Sequence, residues 1–162
     1  MRWLRHLFDI GRVTRAFPDA TLDAIQHAIA EDESRHFGEI VFAVEGCLPF
    51  GDVLRGRSAR DRANEVFAQL RVWDTERNTG VLIYLLLADH AIEIVADRGV
   101  AARVAQAEWQ PICECMRARF ADGEYEAGAV AGVAAVGELL ARHFPDEGRP
   151  NPDELPNRPV RL

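Results

Sequence analysis

Cysteine is scarce in this chain of 162 residues: Cys47, Cys113 and Cys115 are its three thiols. An odd count with no regular spacing excludes a disulfide frame. Cys113 and Cys115 stand two apart in an expected helix, point to different faces, and so do not share a zinc ion. Reduced thiols in a cytoplasmic compartment are the expectation. Long apolar runs are also missing. The longest, Val81 to Ala88, is too short to cross a bilayer as a helix, and the N-terminus, where Arg alternates with apolar residues, lacks the apolar stretch of a secretory signal. There is no excess of basic charge either: a net charge of -7 opposes general binding to a phosphate backbone, so no nucleic-acid partner is expected. Phosphate-cradling glycine motifs, a nucleophile-elbow serine and zinc-binding spacings are all absent from the sequence.

What is present suits one domain with a real core, since 48% of the residues are hydrophobic and 28% charged. The pattern divides the chain into an N-terminal amphipathic segment over 1–17, a domain over 18–145 and a Pro-rich tail over 146–162 expected to lack fixed structure. In the first segment Trp3, Leu4, Leu7 and Phe8 share a helical face opposite several arginines. Docking of that face onto the domain is the favoured reading, and peripheral contact of residues 2–15 with an anionic membrane is the other. A helix is expected over Pro18–Arg35 with Thr21 as its cap, then a strand over Glu39–Glu45. Ser58 and Asp61 resemble a capping box that opens a second helix. Val81–Leu87 is apolar on both faces, as a strand covered by helices on each side requires. A tight turn at Ala88-Asp89-His90 leads to a second strand, Ala91–Ala96, so the two form a hairpin. Pro111 is expected in the first turn of the next helix, Gly123 ends it, and Tyr125–Phe144 is the last, with Gly128 and Gly132 allowing close approach to the sheet. The fold class is therefore α/β: a small mixed β-sheet with a central hairpin, sandwiched between helices.

Strand direction groups the candidate residues. A right-handed crossover makes the Glu39 strand parallel to the Val81 strand, so one rim gathers His36, Glu39, Asp74, Asn78, Asp97 and Arg98. Asp74, Asn78, Asp97 and Glu39 supply the oxygen ligands that a hard cation such as Ca2+ or Mg2+ prefers, and Arg98 suits bidentate capture of a phosphate. The plainer reading has Asp74 and Asn78 capping turns and Asp97 paired with Arg98. The opposite rim holds Glu45, beside Arg55 or Arg57, and Asp89-His90. Cys113 to Arg119 has the spacing of cysteine-dependent phosphatases but no glycine to free backbone N–H groups round a thiolate, which rules that chemistry out.

Asn78-Thr79-Gly80-Val81-Leu82-Ile83-Tyr84, followed by a short turn and Glu93-Ile94-Val95-Ala96-Asp97-Arg98-Gly99, resembles the TPM domain family of thylakoid-lumen, photosystem II repair and receptor-modulator proteins. Phe120-Ala121-Asp122-Gly123-Glu124-Tyr125 resembles that family's link between its last two helices. The resemblance spans Glu39 to Phe144. It implies a few-stranded sheet between helices, in a family where some members act as acid phosphatases, some bind calcium and others serve as accessory factors. The Asp-containing N-terminal motif, signal peptide and membrane anchor of exported members are not found. The expectation is thus an accessory module that binds a divalent cation or a protein partner without turnover, with metal-assisted hydrolysis of phosphate monoesters as the alternative.

Overall fold

The run Val81–Leu87 sets the architecture, because a strand apolar on both faces needs cover on both. The computed structural model describes residues 2–7, 11–148 and 152–162. Three short or medium helices lead in, α1 (Arg2–Leu7), α2 (Arg12–Ala16) and α3 (Asp19–Glu33), followed by β1 (Glu39–Glu45). The crossover carries α4 (Phe50–Leu54) and α5 (Ala59–Gln69) to β2 (Gly80–Leu86), and a single 3-10 turn at Leu87–Asp89 feeds β3 (Ala91–Ala96). Then come α6 (Arg98–Ala101), α7 (Gln106–Ala121), α8 (Tyr125–His143) and a short β4 (Val160–Arg161). The sheet runs β3-β2-β1-β4. β1 lies parallel to β2, with Glu39 opposite Gly80, and β2 pairs antiparallel with β3, with Ile83 opposite Ile94. This is the expected mixed sheet with its hairpin.

Strand periodicity sorts the core into two layers. Ile40, Phe42, Val44, Val81, Ile83, Leu85, Ile92 and Ile94 pack towards α3, α7 and α8. Val41, Ala43, Leu82, Tyr84, Leu86 and Val95 pack the other way, against Val53 of α4 and Ala63 and Val66 of α5. The Ser58–Asp61 capping box is formed. Phe17 anchors the N-terminal segment, its ring 5.5 Å from Tyr125 and 6.0 Å from both Phe42 and Phe120. α1 docks through polar groups and not through the expected apolar face, whose Trp3 and Leu4 are exposed: Arg2 and His6 both reach Asp89, and the Leu48 N–H donates to His6 Nδ1 at 2.9 Å. Phe8, part of the expected apolar stripe, lies outside the described residues.

Local expectations differ from the structure in four further places. The cap of α3 is Pro18, not Thr21, whose hydroxyl donates to Glu126 Oε2 at 2.9 Å. Pro111 lies inside α7 rather than in its first turn, because the helix begins at Gln106, where Glu108 receives the Ala105 N–H. Gly128 and Gly132 face Phe120 and Met116 of α7, so they let two helices approach each other, not a helix and the sheet. The tail differs most. Residues 149–151 lie outside the described residues, but 152–162 run along the sheet edge: Leu155 is buried in the α4–α5 layer, and β4 pairs parallel with β1 at Ala43 and Val44. Arg158 binds Asp23, and Arg161 binds Asp19 and the Phe17 carbonyl. A strand edge with unpaired backbone groups offers this Pro-rich chain hydrogen bonds that composition cannot register.

Candidate metal centre

Two glutamates bracket the turn from α3 into β1. Glu33 is the last residue of α3 and Glu39 the first of β1, so the reversal over 34–38 sets their side chains near one another. The turn is held by buried polar contacts: the Gly38 N–H donates to His36 Nδ1 at 3.1 Å, and Thr79 Oγ1 donates to the Phe37 carbonyl at 2.9 Å. Backbone donors then clamp both carboxylates, the Ile40 N–H on Glu33 Oε1 at 2.8 Å and the Leu155 N–H on Glu39 Oε2 at 3.2 Å. The same tail segment carries in Asp153. One oxygen from each of Glu33, Glu39 and Asp153 lies within 4.8 Å of the other two. Neighbouring Asp32 is balanced by Arg35 and His36. Among the described residues the three clustered carboxylates have no basic partner.

That arrangement opposes ionisation. Burial first, and then the charges of Glu39, Asp153 and Asp32, push Glu33 up to about 8 against the opposing Ile40 N–H. Glu39, only 2% exposed, is pushed up to about 7, first by burial and then by Asp153 and Glu154, with the Leu155 and Glu154 backbone N–H groups working the other way. The donor set is all oxygen and gains negative charge as it ionises, which fits a hard cation such as Ca2+ or Mg2+. It has none of the nitrogen or sulfur ligands that select zinc.

The four ligands expected from sequence divide. Glu39 is at the centre of the cluster. Asp74 is an exposed partner of Arg71, at 2.6 Å. Asn78 takes a left-handed conformation, φ 55°, and its carbonyl accepts the Gly99 N–H at 3.0 Å. Asp97 caps α6, Oδ1 accepting the Arg98 N–H at 2.7 Å, while Oδ2 is buried without a partner. Asp74 and Asp97 join no cluster of three ligating side chains among the described residues. Asp97 follows β3, which is separated from β1 by β2, and two strand spacings are roughly 10 Å. Arg98 meets Asp97 through its backbone rather than its guanidinium, and its side chain is exposed.

Glu33 and Asp153 were missed. Glu33 left a signal: Glu31-Asp32-Glu33 puts acids at a helix C-terminus, where the macrodipole favours bases. Asp153 leaves none, because a Pro-rich tail gives no sequence signal of where it packs. The other rim also needs correction. Glu45 pairs with Arg62, not Arg55 or Arg57, accepting from Arg62 Nε at 2.8 Å and from the Tyr84 hydroxyl at 2.6 Å. Arg55 and Arg57 turn to Asp52 instead. Burial and Glu45 raise the Tyr84 phenol, so this closed network holds its protons and packs the core. Burial likewise pushes the Cys113 thiol up to about 11, the opposite of what an activated nucleophile needs.

Among the described residues no helix is long and apolar enough to cross a membrane. A search of curated proteins returned no match. Among solved structures, the NMR structure of the BA42 protein from the psychrophilic bacterium Bizionia argentinensis aligns with a TM-score of 0.76 at 29% identity, over 88% of this chain and 93% of that one. A family model described as the TPM domain matches residues 13–139, most of the sequence and nearly all of the sheet and its helices. The chain belongs to the TPM domain family.

Proposed function

We propose that this TPM domain is an accessory module that holds a divalent cation, calcium or magnesium, between Glu33, Glu39 and Asp153 and turns nothing over. The observation that supports it most is the convergence of three carboxylates from α3, β1 and the C-terminal segment, two of them clamped by backbone N–H groups, without a basic partner among the described residues. A bound cation supplies the counter-charge that the fold itself withholds. Because Asp153 and Leu155 belong to the last segment, binding also ties that segment to the sheet, which gives an accessory module a cation-dependent edge to present to a protein partner. Calorimetric titration with Ca2+ and with Mg2+ at pH 8 tests the reading. Saturable binding that is lost in Glu39→Gln and Asp153→Asn is expected, and unchanged affinity in both variants would overturn it.

The phosphatase alternative rests on the family and on the exposed Arg98 beside Asp97. It predicts cation-dependent hydrolysis of p-nitrophenyl phosphate that falls in Arg98→Ala. Cation binding without such hydrolysis is the outcome expected here.

A further inference from the structure

At the end of the β1–β2 pair away from the carboxylates, a cavity of about 450 Å³ opens, a volume within the roughly 300–1,000 Å³ of small-molecule pockets. Its floor is apolar, formed by Leu85 and Leu87 where β2 ends, Ile92 on β3 and Phe120 near the end of α7. Tyr125 stacks on Phe120 at 5.5 Å between ring centres, which fixes that wall. Its mouth is basic. Arg12 of α2 and Arg117 of α7 both line it, with His90 between strands, and among the described residues none that lines it is acidic. In a chain of net charge -7 that is a local reversal of sign.

Among the described residues neither guanidinium is held by an acidic side chain as others are. Arg2 is held by Asp89, Arg62 by Glu45 and Arg161 by Asp19. Arg12, by contrast, has no hydrogen bond or ion pair among the described residues. Arg117 makes one long contact, Nε to the His90 carbonyl at 3.4 Å. Two arginine forks above an apolar cup match one ligand chemistry, an anionic head on an apolar body. The head takes paired N–H donors from guanidinium, and the body displaces water from leucine, isoleucine and phenylalanine side chains.

We propose that this cavity binds a small amphipathic anion, with Arg12 and Arg117 holding its carboxylate or phosphate head and Leu85, Leu87, Ile92 and Phe120 taking its apolar body. The site shares no residue with the carboxylate cluster and stands whether or not that cluster binds a cation. NMR titration of the full chain in EDTA with decanoate, decyl phosphate and decanol, each below its micellar concentration, tests it. Saturable shifts at the Leu87, Ile92 and Phe120 amides are expected for the anions, and the tighter of the two identifies the head group. Decanol should bind about tenfold more weakly or worse, a difference of about 1.4 kcal/mol. The double variant Arg12→Gln/Arg117→Gln should lose about the same factor for the anions and nothing for decanol. Ala121→Trp, which sets an indole at the mouth, should abolish binding of all three while leaving the fold intact. Equal affinity for decanol and decanoate, undiminished anion binding in the double variant, or shifts centred away from the cavity would each overturn the proposal.

Discussion

Replacing Glu39 by Gln should stabilise the cation-free protein at pH 8, although Glu39 sits in the core and keeps a backbone partner. The sign follows from linkage. Glu39 rises from 4.5 to about 7 on folding, and Glu33 to about 8. Between about pH 4.5 and 8 the folded state therefore binds more protons than the unfolded chain, and stability is lost as pH rises through that window. At about 1.4 kcal/mol per unit, ionised Glu39 opposes folding by roughly 3 kcal/mol at pH 8. Part of that is repulsion shared with its acidic neighbours, so relief of about 1–3 kcal/mol is the reasonable range for a neutral amide that still accepts from the Leu155 N–H. A domain of this size gains roughly 2–4 °C in Tm per kcal/mol. Scanning calorimetry in EDTA should thus show the variant several degrees above wild type at pH 8 and level with it near pH 5. Excess Ca2+ should invert the order at pH 8, because the cation stabilises only the protein that keeps its ligands. A Glu39→Gln protein that melts below wild type at pH 8 in EDTA would refute the reasoning, and so would equal gains from Ca2+ in both.

The remaining expectations follow from the same contacts. Deleting 149–162 removes Leu155, β4 and Asp153 together; loss of one buried leucine alone costs about 1.5–3 kcal/mol, so Tm should fall by about 5 °C or more and the Ca2+ response should vanish. An unchanged melting curve would show that the tail contributes nothing. Gly137→Ala drives a Cβ into the Asp32 carboxylate, and this overpacking should cost about 1–3 kcal/mol in urea unfolding despite the better helix propensity. Gly51→Ala, which meets nothing within 4 Å, is the control and should be neutral or stabilising. Arg62→Ala leaves Glu45 buried beside Tyr84 without its cation and should cost about 3 kcal/mol by the same assay, whereas Arg71→Ala at the exposed Asp74 pair should cost under about 1 kcal/mol.

Much of the fold was legible because its signals are local. The two-faced apolar run of β2, the turn residues before Ala91 and the Ser58–Asp61 box each declare themselves within a few residues. The parallel pairing of β1 with β2 follows from the handedness of crossovers rather than from any one residue. What stayed hidden is long-range. Leu155 reaches Glu39, Arg158 reaches Asp23 and Arg161 reaches Phe17, across most of the sequence. Proline content in 146–162 predicts a chain that cannot build its own core, and that remains true of it alone. The tail is ordered because β1 has a free edge and α3 presents acids for its arginines. The site was half-legible for the same reason. Glu39 stands at a strand start that topology predicts, but its companions come from a helix end and from the tail, not from the loops beside β2 and β3 where Asp74, Asn78 and Asp97 lie.

The position of Glu33 gives the cation reading its physical direction. A helix C-terminus carries about half a negative charge and repels the acids that α3 places there. Asp32 is relieved by Arg35 and His36, but Glu33 turns to Glu39 and Asp153 and deepens the negative potential. A helix end that breaks a local rule, with no basic partner for Glu33 among the described residues, is the kind of local conflict that marks a functional site. Here the helix dipole and three carboxylates favour positive charge at one place, and on the proposed reading a cation competes with protons to supply it. Cation uptake should accordingly release protons near pH 7, in an amount measurable by calorimetry in buffers of different ionisation enthalpy. A buffer-independent heat at pH 7 would mean that Glu33 and Glu39 are already ionised there, against the upward push that burial gives both.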